Sequence, residues 1–188
     1  MCEKRLGSWI QTFAGKQFWP MDARPGEVDI QDIAHALSML CRFNGHCNRF
    51  YSVAEHSVHL SRVVEPQHAL WGLLHDAAEA YVSDVPRPVK QHVEQFKEIE
   101  SQLMAVVADC FGLHPEQPRE VKKADMQLLA TEKVALMKPE PAPWPGLVQG
   151  LDGVEIHGWS PSEAKQAFLD RFAELMSDRD HDICAKAS

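Results

Sequence analysis

Apolar residues recur along most of this chain at the 3.6-residue spacing of an α-helix, and alternating, strand-like runs are scarce. Asp29 predicts a helix N-cap, followed by apolar Ile30, Ile33, Ala34, Leu37, Leu40 and Cys41. Arg42 to Tyr51 carries Gly45, Asn44 and Asn48 and reads as a loop. Ser52 and Glu55 have the spacing of a capping box, so a second helix starts there and stops at Glu65-Pro66. The next helix, about 67–82, carries Leu70, Trp71, Leu73, Leu74, Ala77 and Ala78. It is apolar around so much of its circumference that it is predicted to be the central, most buried helix. Pro86 and Pro88 require a loop over 84–88. A long helix with Val93, Phe96, Ile99, Leu103, Val106, Val107 and Cys110 ends at Gly112, and another covers roughly 118–137. After a Pro-rich excursion at 139–146, Ser160 and Glu163 cap a last helix with Ala164, Phe168, Phe172, Leu175 and Met176 on one face. Residues 1–28, with Trp9, Phe13, Phe18 and Trp19 ahead of Pro25-Gly26, form an irregular lead-in, and the polar tail 178–188 is expected to fray. The predicted fold class is all-α: one helical domain over 29–177 around a central buried helix carrying His75-Asp76.

With 188 residues, 45% of them hydrophobic, the chain can bury a sizeable core as one domain. A formal charge of −8 argues against a nucleic acid polymer as partner, so an anionic substrate needs a locally positive site. Five cysteines, an odd number with no C-x-x-C pair, suit reduced thiols in a cytoplasm rather than a disulfide framework. No apolar run reaches membrane-spanning length and the N-terminus lacks a signal-peptide core, so the expected location is cytoplasmic, with no membrane partner.

Chemistry concentrates in Leu74-His75-Asp76-Ala77-Ala78-Glu79. A second His-Asp pair, His181-Asp182, lies in the polar tail without an apolar helix around it. Successive helical residues turn about 100°, so His75 and Asp76 share a metal only if it sits beside the helix. His56 and Asp125 lie on segments able to supply the remaining ligands. Two imidazoles and two carboxylates suit a divalent transition metal better than calcium. A six-coordinate ion with these four ligands keeps two positions open, for water and for a substrate oxygen. Alone, a helical His is more often a core residue, and His35, His59, His92 and His114 are read that way.

In order and helical context, His56, His75-Asp76 and Asp125 resemble the H…HD…D pattern of the HD-domain metal-dependent phosphohydrolases. The longer series HDxxExxxxDxPxPxK, from His75 to Lys90, followed by KxAD at Lys122 to Asp125, is similar to bacterial 5′-deoxynucleotidases and to phage-type dATP triphosphohydrolases. The likeness covers roughly residues 29–137. It implies an HD-domain bundle with metal ligands His56, His75, Asp76 and Asp125. It also implies one divalent Co, Mn, Zn or Fe, or Mg with a triphosphate substrate. Glu79, one turn after His75, and Asp84 would orient the nucleophile and move protons. Arg42, Lys90 and Lys122 would contact phosphate, and Phe43 and Pro88 would contact base or sugar. The deoxynucleotidase branch has Trp where this chain has Phe43, and the Asn44-Gly45-His46 insertion is a further departure. The implied activity is removal of phosphate from deoxynucleotides. The alternative is release of tripolyphosphate from a deoxynucleoside triphosphate, and a vestigial nucleotide-binding module is the rival outside the enzymes. Relatives of this kind form dimers or larger rings, which implies a homo-oligomer.

Overall fold

The structure, a computed structural model, describes residues 4–186, with side chains to residue 179. His181-Asp182 therefore lies outside the described side chains. Among the described residues are α1 (Ile30–Met39), α2 (Val53–Val63), α3 (Ala69–Leu74), α4 (Glu79–Val82), α5 (Arg87–Lys90), α6 (Glu94–Cys110), α7 (Arg119–Leu136) and α8 (Pro161–Lys186). A two-residue hairpin, β1 (Ile10–Gln11) and β2 (Gln17–Phe18), pairs antiparallel with Ile10 opposite Phe18. The chain is thus largely all-α.

Helix starts follow the local chemistry. Asp29 accepts the Gln31 N–H at 2.8 Å, capping α1. At α8, the Ser160 N–H donates to Glu163 Oε2 (2.8 Å) and the Glu163 N–H returns to Ser160 Oγ (3.4 Å), a reciprocal capping box. At α2 only half of the predicted box forms. Ser52 Oγ accepts from the Glu55 N–H at 3.1 Å, but the Glu55 carboxylate turns away. It accepts instead from the N–H groups of His157 (2.9 Å), Gly158 (2.8 Å) and Trp159 (2.7 Å), pinning the segment before α8 onto α2. Gly158 has φ +74°, and an added Cβ would lie 2.8 Å from Arg49 Nε, so the turn excludes a side chain.

The helix predicted over 67–82 is interrupted. Ala77 N bonds to Leu74 O (3.0 Å) and Glu79 N to Asp76 O (2.9 Å). These i→i−3 bonds tighten residues 75–78 into a 3-10-like turn between α3 and α4. Burial also differs from expectation: α3 is buried throughout, but α2 is buried over the longer stretch, with every residue from Val53 to Ser61 inside. Its Glu55, His56, Ser57, His59 and Ser61 conceal that from a hydrophobic count. The loop over 84–88 gives way to α5 at Arg87, with Pro88 in the first turn, where a proline lacks no needed N–H. α8 continues through Lys186, past the start of the predicted tail.

Two apolar clusters flank α2 and α3. One includes Ile33, Leu37, Val58, Leu73, Leu74, Leu103 and Phe168. The other includes Tyr51, Leu60, Trp71, Val121, Leu128 and Leu136. Phe18 of the lead-in is buried in the first and stacks on Tyr81 at 3.8 Å between centroids. Burying such a ring stabilises by about 1.5–3 kcal/mol, enough to tie residues 17–18 to the domain. Gly72 sets the α2–α3 approach: a Cβ there would meet Ser61 Cα at 3.1 Å and Val64 Cγ2 at 3.2 Å. That close crossing brings the end of α3 to the flank of α2.

Candidate metal centre

At the crossing, His56 on α2, His75 at the end of α3 and Asp125 on α7 present ligand atoms all within 4.8 Å of one another, a group that could hold a metal ion. Nε2 of His56 lies 3.2 Å from Nε2 of His75 and 3.2 Å from Asp125 Oδ1. Asp76 Oδ2 adjoins the group, 3.0 Å from His75 Nε2 and 3.9 Å from His56 Nε2. His56 is fully buried, whereas the Asp76 and Asp125 side chains are 22% and 32% exposed, so the centre opens to solvent on its carboxylate side.

The other ring nitrogens fix the orientation. Nδ1–H of His75 donates to Gly72 O at 2.9 Å, and Nδ1–H of His56 donates to Glu132 Oε1 at 2.6 Å. Both Nε2 atoms are thereby turned inward, the arrangement in which an outer acceptor orients a ligating imidazole. Burial and the Arg42 charge disfavour an imidazolium at His56, yet Glu132 and Asp125 together outweigh them and raise its pKa to about 9. Burial would also raise Asp76, but His75, His56 and Arg42 hold its carboxyl well below the usual range. Asp125 is likewise held down against burial by His56 and His75. The electrostatics therefore favour positive charge where the two Nε2 atoms and the carboxylates meet.

Glu132 is the residue that sequence reasoning missed. It is fully buried, and it also accepts from Tyr51 OH at 2.7 Å and from Arg42 Nε at 3.2 Å. Arg42, His56 and Tyr51 hold its carboxyl below the usual range despite burial. The signal was present in the sequence: Val121, Ala124, Leu128, Glu132 and Leu136 form the buried stripe of α7, and an acid in an apolar stripe needs a partner. Arg42, expected to contact phosphate, pairs with Glu132 and, through Nη1 at 3.7 Å, with Asp76.

The tight turn moves Glu79 relative to expectation. In a 3-10 turn residues i and i+3 eclipse, so Glu79 aligns with Asp76 rather than with His75. Its Oε1 lies 3.7 Å from Lys90 Nζ, and its buried Oε2 has no hydrogen-bond partner among the described residues. Burial, then Asp76 and Asp84, push the Glu79 carboxyl well up. Asp84 is also pushed up, by burial and Asp76 against the pull of Arg42 and Lys90. Lys90 bonds to Glu100 at 2.6 Å. Pro88 and Lys122 are exposed; Lys122 lies one turn before Asp125, and Arg87 beside Pro88 reaches Met126 Sδ at 3.2 Å. Phe43 lies under the Arg42 guanidinium (5.6 Å) and edge-on to Trp144 (6.4 Å). The Pro-rich excursion thereby folds back toward the Arg42 side of the centre.

No protein-family profile matches the chain. It is 38% identical over 171 residues to the uncharacterized protein YfdR of Escherichia coli, covering 89% of this chain and 96% of that protein. It is 30% identical over 171 residues to an uncharacterized protein of Rhodobacter capsulatus, covering 86% of this chain and 79% of that protein. No helix among the described residues is long and apolar enough to cross a membrane. The chain belongs to the family of YfdR.

Proposed function

We propose that this chain is an HD-domain phosphohydrolase that removes phosphate from deoxynucleotides with a divalent transition metal held by His56, His75, Asp76 and Asp125. The observation that carries this reading is the convergence of two inward-facing Nε2 atoms with Asp125 and Asp76, together with a buried Glu79 oxygen that has no hydrogen-bond partner among the described residues. A divalent ion bound there supplies Lewis acidity toward a phosphoryl oxygen and the attacking water. The chain's own residues do the rest. Glu132 and the Gly72 carbonyl keep both imidazoles in the ligating orientation. Glu79 and Asp84 exchange protons with the nucleophile and the leaving oxygen. Lys90 and Lys122 offset charge on the phosphoryl group, Lys90 by leaving Glu100, while Arg42 holds Asp76 and Glu132 in place. Phe43 and Pro88 form the apolar side against base and sugar.

The test is the reconstituted chain with Mn, Fe, Co or Zn against a panel of ribo- and deoxynucleotides, with products identified. Orthophosphate from a deoxynucleoside monophosphate is the expected result. Tripolyphosphate from a triphosphate would make the chain a triphosphohydrolase, and no product with any metal would remove the hydrolase reading.

A further inference from the structure

Cys41 and Cys47 play no part in the centre, yet their sulfurs lie 3.6 Å apart and both residues are half-buried. The chain is anchored at both ends of the segment between them. Cys41 bridges to Ser52, flanked by bonds from Arg42 N to Tyr51 O (2.9 Å) and from Val53 N to Leu40 O (3.0 Å). Beyond Cys47, Asn48 N donates to Leu136 O at 2.7 Å. Between the anchors Phe43 and Asn44 hold φ of 54° and 53°, left-handed values that cost a bulky Phe energy. Arg42, the first residue between the thiols, is the one that bridges Asp76 and Glu132.

We propose that Cys41 and Cys47 are a redox-modifiable pair whose closure to a disulfide shifts the strained Arg42–His46 segment and loosens Arg42 from the centre. A low-molecular-weight disulfide such as oxidised glutathione is the oxidant. One cysteine thiolate attacks a glutathione sulfur, releasing one glutathione thiolate and leaving a mixed disulfide. The second cysteine then attacks the protein sulfur of that bond and releases the second glutathione. Two electrons pass to the oxidant, and the two thiol protons go to the departing thiolates. Closure draws the sulfurs from 3.6 Å to a bond of about 2.05 Å, a movement that the anchored ends pass to the turn between them.

Disulfide formation stands apart from the proposed reaction, whereas its effect on turnover rests on that reading. The full chain is equilibrated in glutathione redox buffers, quenched in acid, alkylated and peptide-mapped. The expected product is a Cys41–Cys47 crosslink, reversed by dithiothreitol and absent in Cys41→Ser and Cys47→Ser. Glutathione resting singly on either residue under excess oxidant, or pairing of either with another cysteine instead, overturns the proposal. Loss of charge-assisted bonds from Arg42 is expected to lower kcat/KM about tenfold or more in the oxidised wild type. Oxidised Cys47→Ser keeps its rate. An unchanged rate in the crosslinked wild type overturns the coupling to Arg42. Absence of turnover in both redox states would instead count against the hydrolase, while the crosslink map still decides the thiol pair.

Discussion

Nδ1 of His56 lies 2.6 Å from Oε1 of Glu132, 76 residues further along the chain, and both side chains are fully buried. Glu132 follows Asp125 by two helical turns on α7, so one helix supplies both a carboxylate of the centre and the acceptor that aims an imidazole at it. Replacing Glu132 with Ala leaves the Arg42, Tyr51 and His56 donors without their shared acceptor. Breaking a buried pair in this way costs about 3–5 kcal/mol, to be read by urea unfolding. Glu132→Gln keeps the shape but not the charge. It is expected to fold and to bind metal about 10–100-fold more weakly in chelator competition. Unchanged affinity in Glu132→Gln would limit Glu132 to a structural part.

Glu79 is expected to act on protons rather than on metal. Its Oε2 is buried without a hydrogen-bond partner among the described residues, and the 3-10 turn sets it over Asp76. Glu79→Gln should retain metal, as shown by elemental analysis, while kcat falls by about 10²–10⁴-fold. Loss of metal would make Glu79 a ligand, and an unchanged kcat would remove it from catalysis.

Glu55, although it precedes His56, is expected to act on stability. Its carboxylate is bound by three backbone N–H groups, so Glu55→Ala strands three donors and frees the segment 157–159 from α2. Hydrogen bonds to a charged group contribute about 1.5–3 kcal/mol each, though not additively, so a loss of about 3 kcal/mol in denaturant unfolding is expected. Stability within 0.5 kcal/mol of wild type, roughly the range of surface substitutions, would contradict the cradle.

Sugar selection follows from the proposed function. An apolar wall of Phe43 and the Pro86–Pro88 turn would leave a 2′-hydroxyl unpaired, at a cost of about 1–3 kcal/mol. That corresponds to a roughly 5- to 150-fold preference in kcat/KM for dAMP over AMP, or for dATP over ATP. Equal values would remove the selection claim and leave the metal centre standing.

Much of the helical order was legible because α1, α6 and α7 each bury one apolar stripe, so the 3.6-residue period marks them. α2 was legible at its start through Ser52, but not in its burial. His56 and Glu55 there meet partners more than 70 residues away, Glu132 for His56 and the 157–159 amides for Glu55. The break at His75-Asp76 was hidden for a related reason: no Gly or Pro marks residues 75–78, and only hydrogen bonding reveals the tighter turn. His56, His75 and Asp125 were nameable from the sequence, and their meeting point required the α2–α3 crossing that Gly72 permits.

Metal content, measured by elemental analysis of the reconstituted wild-type chain and of His75→Ala, tests the central claim most directly. His75 contributes Nε2 to the centre and lies at the end of α3, so its truncation removes a ligand while the capped helices remain. The wild type is expected to hold a stoichiometric divalent ion, and His75→Ala to hold none at unchanged helicity by circular dichroism. A wild type that retains no ion from Mn, Fe, Co or Zn, or a His75→Ala chain that retains it in full, would contradict the claim.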